Sequence, residues 1–136
     1  YADAFHNVAY TYQTLFQNER DENKKSEYLN LAKQYYLEAI KYNPNLWQSH
    51  QNLGILYFSE GNLEQGYAEY GAALSVNASP GLVSNYLNIN MQLKNYDEAE
   101  KSALYLLKLD PTNSNVQNTL NQIKELKSKQ TPTKTN

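Results

Sequence analysis

Small residues alternate with large rings along one face of two predicted helices in the middle of the chain. Residues 45–75 place these side chains at helical spacing: Leu53, Gly54 and Tyr57 on the first helix, and Gly66, Tyr70, Ala73 and Leu74 on the second. Gly61-Asn62 between them supplies a tight turn. Because small residues at a helix crossing let two backbones approach while each ring fills the gap beside its neighbour, the pattern predicts an antiparallel helix pair.

The same pattern recurs on both sides of this pair at an offset near 34 residues. Equivalent small, aromatic and aliphatic residues follow 33 positions later: Tyr86, Leu87, Ala99, Ala103, Leu106 and Leu107. Others lie 34 positions earlier: Ala32, Tyr36, Ala39 and Ile40. A period of this length is typical of a repeat array, in which each helix pair buries its apolar face against its neighbours.

Residues 2–113 resemble the tetratricopeptide repeat, whose signature is W-x2-L-G-x2-Y, then A-x3-F, then P. The three corresponding segments are Phe5-x2-Val8-Ala9-x2-Tyr12, His50-x2-Leu53-Gly54-x2-Tyr57 and Val83-x2-Tyr86-Leu87-x2-Asn90. No repeat has the signature Trp at its usual place, Gly66 replaces the usual Ala, and Asn90 replaces a Tyr. The resemblance implies an all-α fold, an α-solenoid of antiparallel helix pairs with a superhelical twist and about seven helices.

Turn and capping residues give the predicted boundaries. We expect a single domain over residues 1–127, with repeats at about 2–44, 45–78 and 79–113, a capping helix at 115–127 and a disordered tail at 128–136. The first repeat is predicted to pair helices at 3–18 and 25–42, and the third at 80–94 and 97–109. Asn45 is expected to cap the helix that carries Trp47, and Ser79 with Pro80 after it is a favourable helix start.

The first repeat is longer than the other two. Gly54 and Gly66 are 12 positions apart, whereas Ala9 and Ala32 are 23 apart, so 11 residues have been inserted. The apolar stripe continues into the insertion, which predicts that both helices are lengthened by about a turn and a half. The packed face of the first helix is expected to hold Phe5, Val8, Ala9, Tyr12, Leu15 and Phe16. The polar stretch 18–25 then forms the tip, either as a solvated loop or as a contact site.

Charge and composition exclude several classes of partner. The net charge is −2, and the lysines near the end of the chain are not interleaved with aromatic residues, so nucleic acid is not expected as a partner. No apolar run is long enough for insertion into a membrane. Cysteine is absent, which fits any compartment and leaves the localisation open. The chain begins at Tyr1 rather than Met, so we expect it to come from a longer or trimmed chain.

The residues that could support catalysis are few and scattered. The two histidines, His6 and His50, each fall on the first helix of a repeat, and the sequence places no Asp or Glu beside them. A zinc site would require more ligands at close range. No glycine-rich phosphate loop is present. We therefore expect no enzyme activity, metal or cofactor, and we interpret His50 as a packing residue.

The candidate binding surface lies on the first helix of each repeat, which lines the concave groove in the family that the chain resembles. Its residues are mostly amides with a few apolar groups: His6, Asn7, Tyr10, Gln13, Gln48, Gln51, Asn52, Ile55, Phe58, Ser84, Asn85, Asn88 and Met91. Amides offer both donors and acceptors, so they can hold a peptide backbone of any sequence. The hypothesis is a protein-interaction module that binds a neutral or apolar peptide or partner helix.

The resemblance also implies roles for particular positions. Asn7, Asn52 and Asn85 match the Asn that grips the ligand backbone in peptide-binding members. Members that bind the acidic tails of heat-shock chaperones add Lys and Arg as a carboxylate clamp, whereas the equivalent positions here are His6, Tyr10, Gly81 and Asn85. Two alternatives remain open at this stage: a self-associating homo-oligomeric scaffold or spacer within a larger protein, and a non-catalytic appendage to an enzyme.

Overall fold

Seven α-helices make up most of residues 1–130, the part of the chain that the computed structural model describes, and no strand occurs among these residues. The helices are α1 (Ala2–Asn18), α2 (Glu22–Tyr42), α3 (Trp47–Ser59), α4 (Leu63–Val76), α5 (Pro80–Gln92), α6 (Tyr96–Leu109) and α7 (Ser114–Gln130). The all-α prediction with seven helices is confirmed. The chain divides after Ala78 into two compact units, the first with α1–α4 and the second with α5–α7.

Local capping residues explain most of the helix starts. The side chain of Ser79 accepts a hydrogen bond from the Leu82 amide, and Pro80 occupies the first turn of α5, as predicted. The predicted Asn45 cap is wrong, because α3 follows Leu46 and has no side-chain cap. The backbone N–H of Asn45 instead donates to the side-chain oxygen of Asn43, within the turn that precedes the helix.

The core of the first unit joins α1, α2 and α3. One buried cluster in this core consists of Ala9, Ala32, Tyr36, Leu53 and Leu56, all at most 1% exposed. The alanines leave room for the backbones of α1 and α2 to approach, and the ring of Tyr36 fills the space that they leave. Leu53 and Leu56 bring α3 into the same cluster, so this face of α3 is its docking surface on the first helix pair.

The insertion in the first repeat lengthens its two helices unequally. Helix α1 has 17 residues against 13 in α3, and α2 has 21 against 14 in α4, which accounts for the inserted residues. The tip is therefore shorter than predicted and covers only residues 19–21. Helix α2 starts early because the Asp21 carboxylate accepts hydrogen bonds from the amides of Asn23 and Lys24.

A chain of aromatic contacts runs along the α1–α2 pair. Neighbouring ring centroids are 5.3–6.1 Å apart in the order Tyr1, Tyr42, Phe5, Tyr35, Tyr12 and Tyr28. Near the tip, the ammonium of Lys25 lies 5.6 Å from the centroid of the Phe16 ring. These contacts extend beyond the buried cluster and join the lengthened helices along their sides.

Two apolar residues of α1 do not pack as predicted. Val8 is 39% exposed and Leu15 is 42% exposed, although both were assigned to the packed face. Ala9 is fully buried, and Tyr12 and Phe16 are half-buried. The core of the first unit therefore meets a narrower face of α1 than the apolar pattern suggests.

Helix α7 packs against α6 in the second unit. It buries Leu120 and Ile123, while Lys127 forms ion pairs of 2.9 Å with Asp97 and Glu100 of α6. The helix continues to Gln130, three residues beyond its predicted end, so residues 128–130 of the predicted disordered tail are helical. The rest of that predicted tail, 131–136, lies outside the described residues.

Candidate peptide-binding surface

The first helix of each pair is almost free of charge. Helices α3 and α5 contain no Asp, Glu, Lys or Arg, and α1 contains only Asp3. The second helix of each pair carries most of the charged residues in the described part of the chain. The predicted site residues lie on these three neutral helices, whose polar side chains are mainly amides and hydroxyls.

On α1 the predicted site residues differ in accessibility. Asn7 is exposed and Tyr10 is 56% exposed, so both side chains are available to a ligand. His6 is half-buried. Gln13 is only 6% exposed and accepts a hydrogen bond from the hydroxyl of Tyr36, which removes its side chain from the accessible surface.

His6 connects α1 to α3. Its Nδ1 atom lies 2.8 Å from the Oγ atom of Ser49, a residue that is fully buried. Burial lowers the pKa of His6, and the nearby carboxylate of Asp3 partly opposes this shift. The ring also lies 5.5 Å, centroid to centroid, from the ring of Tyr36. His6 therefore supports the relative position of α1 and α3 within the first unit.

The hydroxyl of Tyr36 joins three helices behind the predicted surface. It donates to Gln13 of α1 and also hydrogen-bonds to the side chain of Asn52 on α3. Because a hydroxyl has one hydrogen to donate, the amide of Asn52 is the donor in the second bond. Burial raises the pKa of Tyr36.

The other predicted residues of α3 are all half-buried: Gln48, Gln51, Ile55 and Phe58. The Nε2 atom of Gln51 lies 3.4 Å from the hydroxyl of Tyr70 on α4, and burial raises the pKa of that hydroxyl. The ring of Phe58 packs against Gly66 of α4, and its centroid lies 4.9 Å from that of Tyr67 in an edge-to-face contact. Phe58 is therefore mainly a packing residue of the α3–α4 pair.

The predicted residues of α5 belong to the second unit and are described with it. Asn85 and Asn88 are exposed, whereas Ser84 and Met91 are half-buried. Asn90, which replaces the usual Tyr of the repeat, is fully buried and donates from its side chain to the backbone carbonyl of Tyr86. The exposed amides of α5 thus flank a buried amide that is satisfied within the helix.

His50 has an acidic neighbour that the sequence did not predict. Its Nδ1 atom lies 2.7 Å from a carboxylate oxygen of Glu69 on α4, and its Nε2 atom lies 2.9 Å from the carbonyl oxygen of Pro44. The expectation that no Asp or Glu lies beside the histidines is therefore wrong for His50. Within residues 1–130, no group of three metal-ligating side chains comes together. His50 acts as a polar connection between α3, α4 and the preceding turn, and it is 8% exposed.

The residues that contact this surface from behind could not be predicted from the sequence. Tyr36 and Tyr70 were recognised as core rings, but their hydroxyl bonds to Gln13, Asn52 and Gln51 were not. Ser49 carried no signal beyond its position beside His50. Among the helices that the structure describes, none combines the length and apolar character needed to cross a membrane.

Comparison with known proteins identifies the repeat. Residues 35–68 and residues 21–46 match family models of the tetratricopeptide repeat. No curated protein matches the chain. The two matched segments overlap and both lie within the first unit.

Solved structures extend the similarity over most of the chain. A thermophilic TPR protein of Thermus thermophilus has a TM-score of 0.75 and 20% identity over 90% of this chain and 63% of its own. The pilF protein of Pseudomonas aeruginosa has a TM-score of 0.66 and 21% identity over 94% of this chain and 54% of its own. The chain thus spans less than two thirds of the length of these two proteins.

A third structure is the first TPR domain of Spaghetti (RPAP3), bound to the HSP90 peptide SRMEEVD. It has a TM-score of 0.60 and 18% identity, and the match covers 90% of this chain and 98% of that domain. The repeat models match residues 21–68, and the three structures share the all-α solenoid fold with this chain. Residues 21–68 therefore match the tetratricopeptide repeat, and the chain has the fold of tetratricopeptide repeat proteins.

Proposed function

We propose that this chain is a non-enzymatic interaction module that binds an uncharged, partly apolar peptide segment on α1 and α3. The fold is that of a protein–protein interaction module. The observation that carries the finer proposal is the near absence of charge on the first helices, combined with the amides of Asn7 and Asn52. In the second unit, described by itself, the exposed amides of Asn85 and Asn88 on α5 offer the same donors and acceptors.

The contact chemistry favours backbone recognition with one or two apolar anchors. Asn7 and Gln48 offer donors and acceptors to a peptide backbone. The ring of Tyr10, one turn after Asn7 on α1, offers an exposed apolar surface. Asn52 is half-buried on α3, and its amide offers a further donor and acceptor to the peptide backbone. Gln13 and Phe58 are assigned a supporting role, because their side chains bind and pack within the first unit.

An acidic peptide is a poor ligand for this surface. The peptide in the Spaghetti (RPAP3) structure, SRMEEVD, carries three acidic residues and a single basic one. The positions that the family resemblance equates with a carboxylate clamp are His6, Tyr10, Gly81 and Asn85, none of which is Lys or Arg. Desolvating a carboxylate without a cation to pair with it is unfavourable.

The test is a binding comparison over an array of short peptides with neutral, acidic and basic sequences, with SRMEEVD as one acidic member. We expect neutral peptides with apolar side chains to bind, and Asn7→Ala/Tyr10→Ala to weaken that binding at least about tenfold. Both residues are exposed, so the double variant leaves the core intact. Thr14→Ala/Gln17→Ala, also exposed on α1, is the matched control. Equal binding by the double variant, or preferred binding of acidic peptides, would overturn the proposal.

A further inference from the structure

His6 reaches from α1 to α3 within the first unit. Its ring is half-buried, and its Nδ1 atom lies 2.8 Å from the Oγ atom of Ser49. Tyr10, four positions later on the same helix, lies beside His6 at helical spacing and is 56% exposed. The ring of His6 therefore connects a buried contact on α3 to the surface that we propose for peptide binding, and the inference below rests on that proposed function.

The hydroxyl of Ser49 determines which ring nitrogen of His6 carries the proton. Ser49 is fully buried, and its bond to His6 is the single hydrogen bond that residues 1–130 provide for this hydroxyl. If Nδ1 were the donor, the hydroxyl hydrogen would be left in the core without an acceptor, which is unfavourable. The hydroxyl therefore donates to Nδ1. Because burial lowers the pKa of His6, the ring is neutral at pH 7 and its proton is on Nε2.

The Nε2–H group of His6 reaches the surface. It has no hydrogen-bond partner within residues 1–130. Among the buried and half-buried residues of that part of the chain, no side-chain nitrogen or oxygen is enclosed without a partner, so Nε2 is not enclosed. The carboxylate of Asp3, one turn earlier on α1, raises the pKa of His6 but forms no ion pair with it. A carboxylate of a ligand would meet the like charge of Asp3 here, whereas a carbonyl oxygen would not.

We propose that the Nε2–H group of His6 donates a hydrogen bond to a backbone carbonyl oxygen of the bound peptide, and that Ser49 is the positioning residue that keeps the proton on Nε2. A carbonyl oxygen accepts hydrogen bonds and carries no net charge, which suits a neutral donor close to Asp3. The ring is fixed by its bond to Ser49 and by its contact with Tyr36, 5.5 Å between centroids. A donor that is already oriented loses little conformational freedom on binding.

Two substitutions of His6 separate its two contacts. His6→Asn places an oxygen near the position of Nδ1, so this variant can still accept from Ser49 but has no donor at the position of Nε2. His6→Gln is longer and places its N–H groups near Nε2, so this variant keeps the ligand donor and loses the Ser49 bond. The probe is the neutral peptide of the array that binds the wild type most tightly. Its binding should weaken about three- to tenfold with His6→Asn and less than about twofold with His6→Gln.

NMR of the protein with isotope-labelled histidine nitrogens tests the role of Ser49 at pH 7 without a ligand. The signals of His6 are identified by their absence from the spectrum of His6→Gln. In the wild type Nε2 should be protonated and Nδ1 should not. Ser49→Ala removes the hydroxyl, so part of the protein should then carry the proton on Nδ1 and the peptide should bind less tightly.

The outcomes distinguish this inference from the proposed function. A wild-type chain that binds no neutral peptide would overturn both. Peptide binding that His6→Asn leaves unchanged, or that His6→Gln weakens more than His6→Asn does, would show that His6 has only a structural role and would overturn the inference alone. A proton on Nδ1 in the wild type, or a proton distribution that Ser49→Ala does not alter, would overturn the role assigned to Ser49.

Discussion

Gly66 shows how one ring determines the residue on a neighbouring helix. Glycine is unfavourable inside a helix, and the repeat signature has alanine at this position. A Cβ atom at Gly66 would lie 2.5 Å from Cδ1 of Phe58, well inside van der Waals contact. The Phe58 ring is itself held by its edge-to-face contact with Tyr67. Glycine therefore replaces the alanine of the signature at position 66, because the Phe58 ring of α3 leaves no room for a Cβ atom.

Gly66→Ala should destabilise the protein by about 1–2 kcal/mol, because overpacking against Phe58 outweighs the better helix propensity of alanine. In a Phe58→Ala background the same change should be neutral or stabilising by up to about 1 kcal/mol, since the ring is gone. Urea unfolding of the four proteins in this cycle measures both values. An equal effect of Gly66→Ala in both backgrounds would contradict the explanation.

His6 makes the stability depend on pH. Its pKa in the folded protein is lowered by burial, so the unfolded chain binds a proton more readily at pH values below the ordinary pKa of about 6.5. The stabilising effect of the neutral ring is complete above about pH 7 and is lost as the pH falls through the lowered folded pKa. From pH 7 to pH 5, the unfolding free energy should fall more steeply for the wild type than for His6→Gln. The same pH dependence of the unfolding free energy in both proteins would show that His6 does not cause it.

At the scale of elements, the α3–α4 turn and the α5–α6 turn reach the same left-handed backbone conformation with different residues. Gly61 has a φ of +78° at the end of α3, and Lys94 has a φ of +58° at the end of α5. A left-handed backbone is readily adopted by glycine and costs free energy for other residues. The α5–α6 turn is thus strained where the α3–α4 turn is not.

Lys94→Gly should stabilise the second unit by up to about 1 kcal/mol, because it relieves this backbone strain at an exposed position. Thermal unfolding measures the change as a rise in Tm. Lys108→Gly, at an exposed position in the last turns of α6, is the control and should lower stability instead. A loss of stability with Lys94→Gly would show that the lysine side chain contributes more than the backbone strain costs.

The α1–α2 pair is longer than the other helix pairs, and its additional turns are stabilised by side-chain contacts of their own. The additional turns lie beyond the buried cluster of the first unit, and the contacts along them are aromatic: Tyr12 with Tyr28 and Tyr35, and Lys25 over Phe16. Partly exposed tyrosines suit this position, because their rings pack while their hydroxyls reach water. This accounts for part of the high tyrosine content of the chain.

At the scale of the whole molecule, α7 completes the core of the second unit, with Ile123 fully buried and Leu120 only 3% exposed. The ion pairs of Lys127 are on the surface and contribute much less, because solvent screens exposed charges. Apolar packing on α6 is therefore the main contribution of α7 to stability.

Ile123→Ala should lower the free energy of unfolding by about 2–4 kcal/mol, from lost burial and the cavity left behind. Lys124→Ala, its exposed neighbour on the same helix, should change it by less than about 0.5 kcal/mol. Denaturant unfolding followed by helical circular dichroism compares the two variants. Similar losses in both would mean that helix propensity, and not burial, determines the contribution of α7.

The sequence by itself determined the repeat, the number of helices and most of their ends. A period of 33–34 residues in small, aromatic and aliphatic positions has no simpler explanation than stacked helix pairs. Capping is also local chemistry, so the start of α5 at Ser79-Pro80 could be predicted. The neutral character of the first helices, on which the proposed function depends, was likewise visible in the sequence.

Only the tertiary structure decided which flank of each helix is covered and which polar groups meet across helices. Apolar periodicity marks a broad face of α1, but the exposure of Val8 depends on whether another helix lies over it. The contact of His50 with Glu69, 19 positions away, depends on the crossing of α3 and α4. The burial of Gln13 likewise follows from the hydroxyl of Tyr36. Such contacts depend on how close two helices lie and at what angle they cross. The periodicity of a single helix gives no information on either.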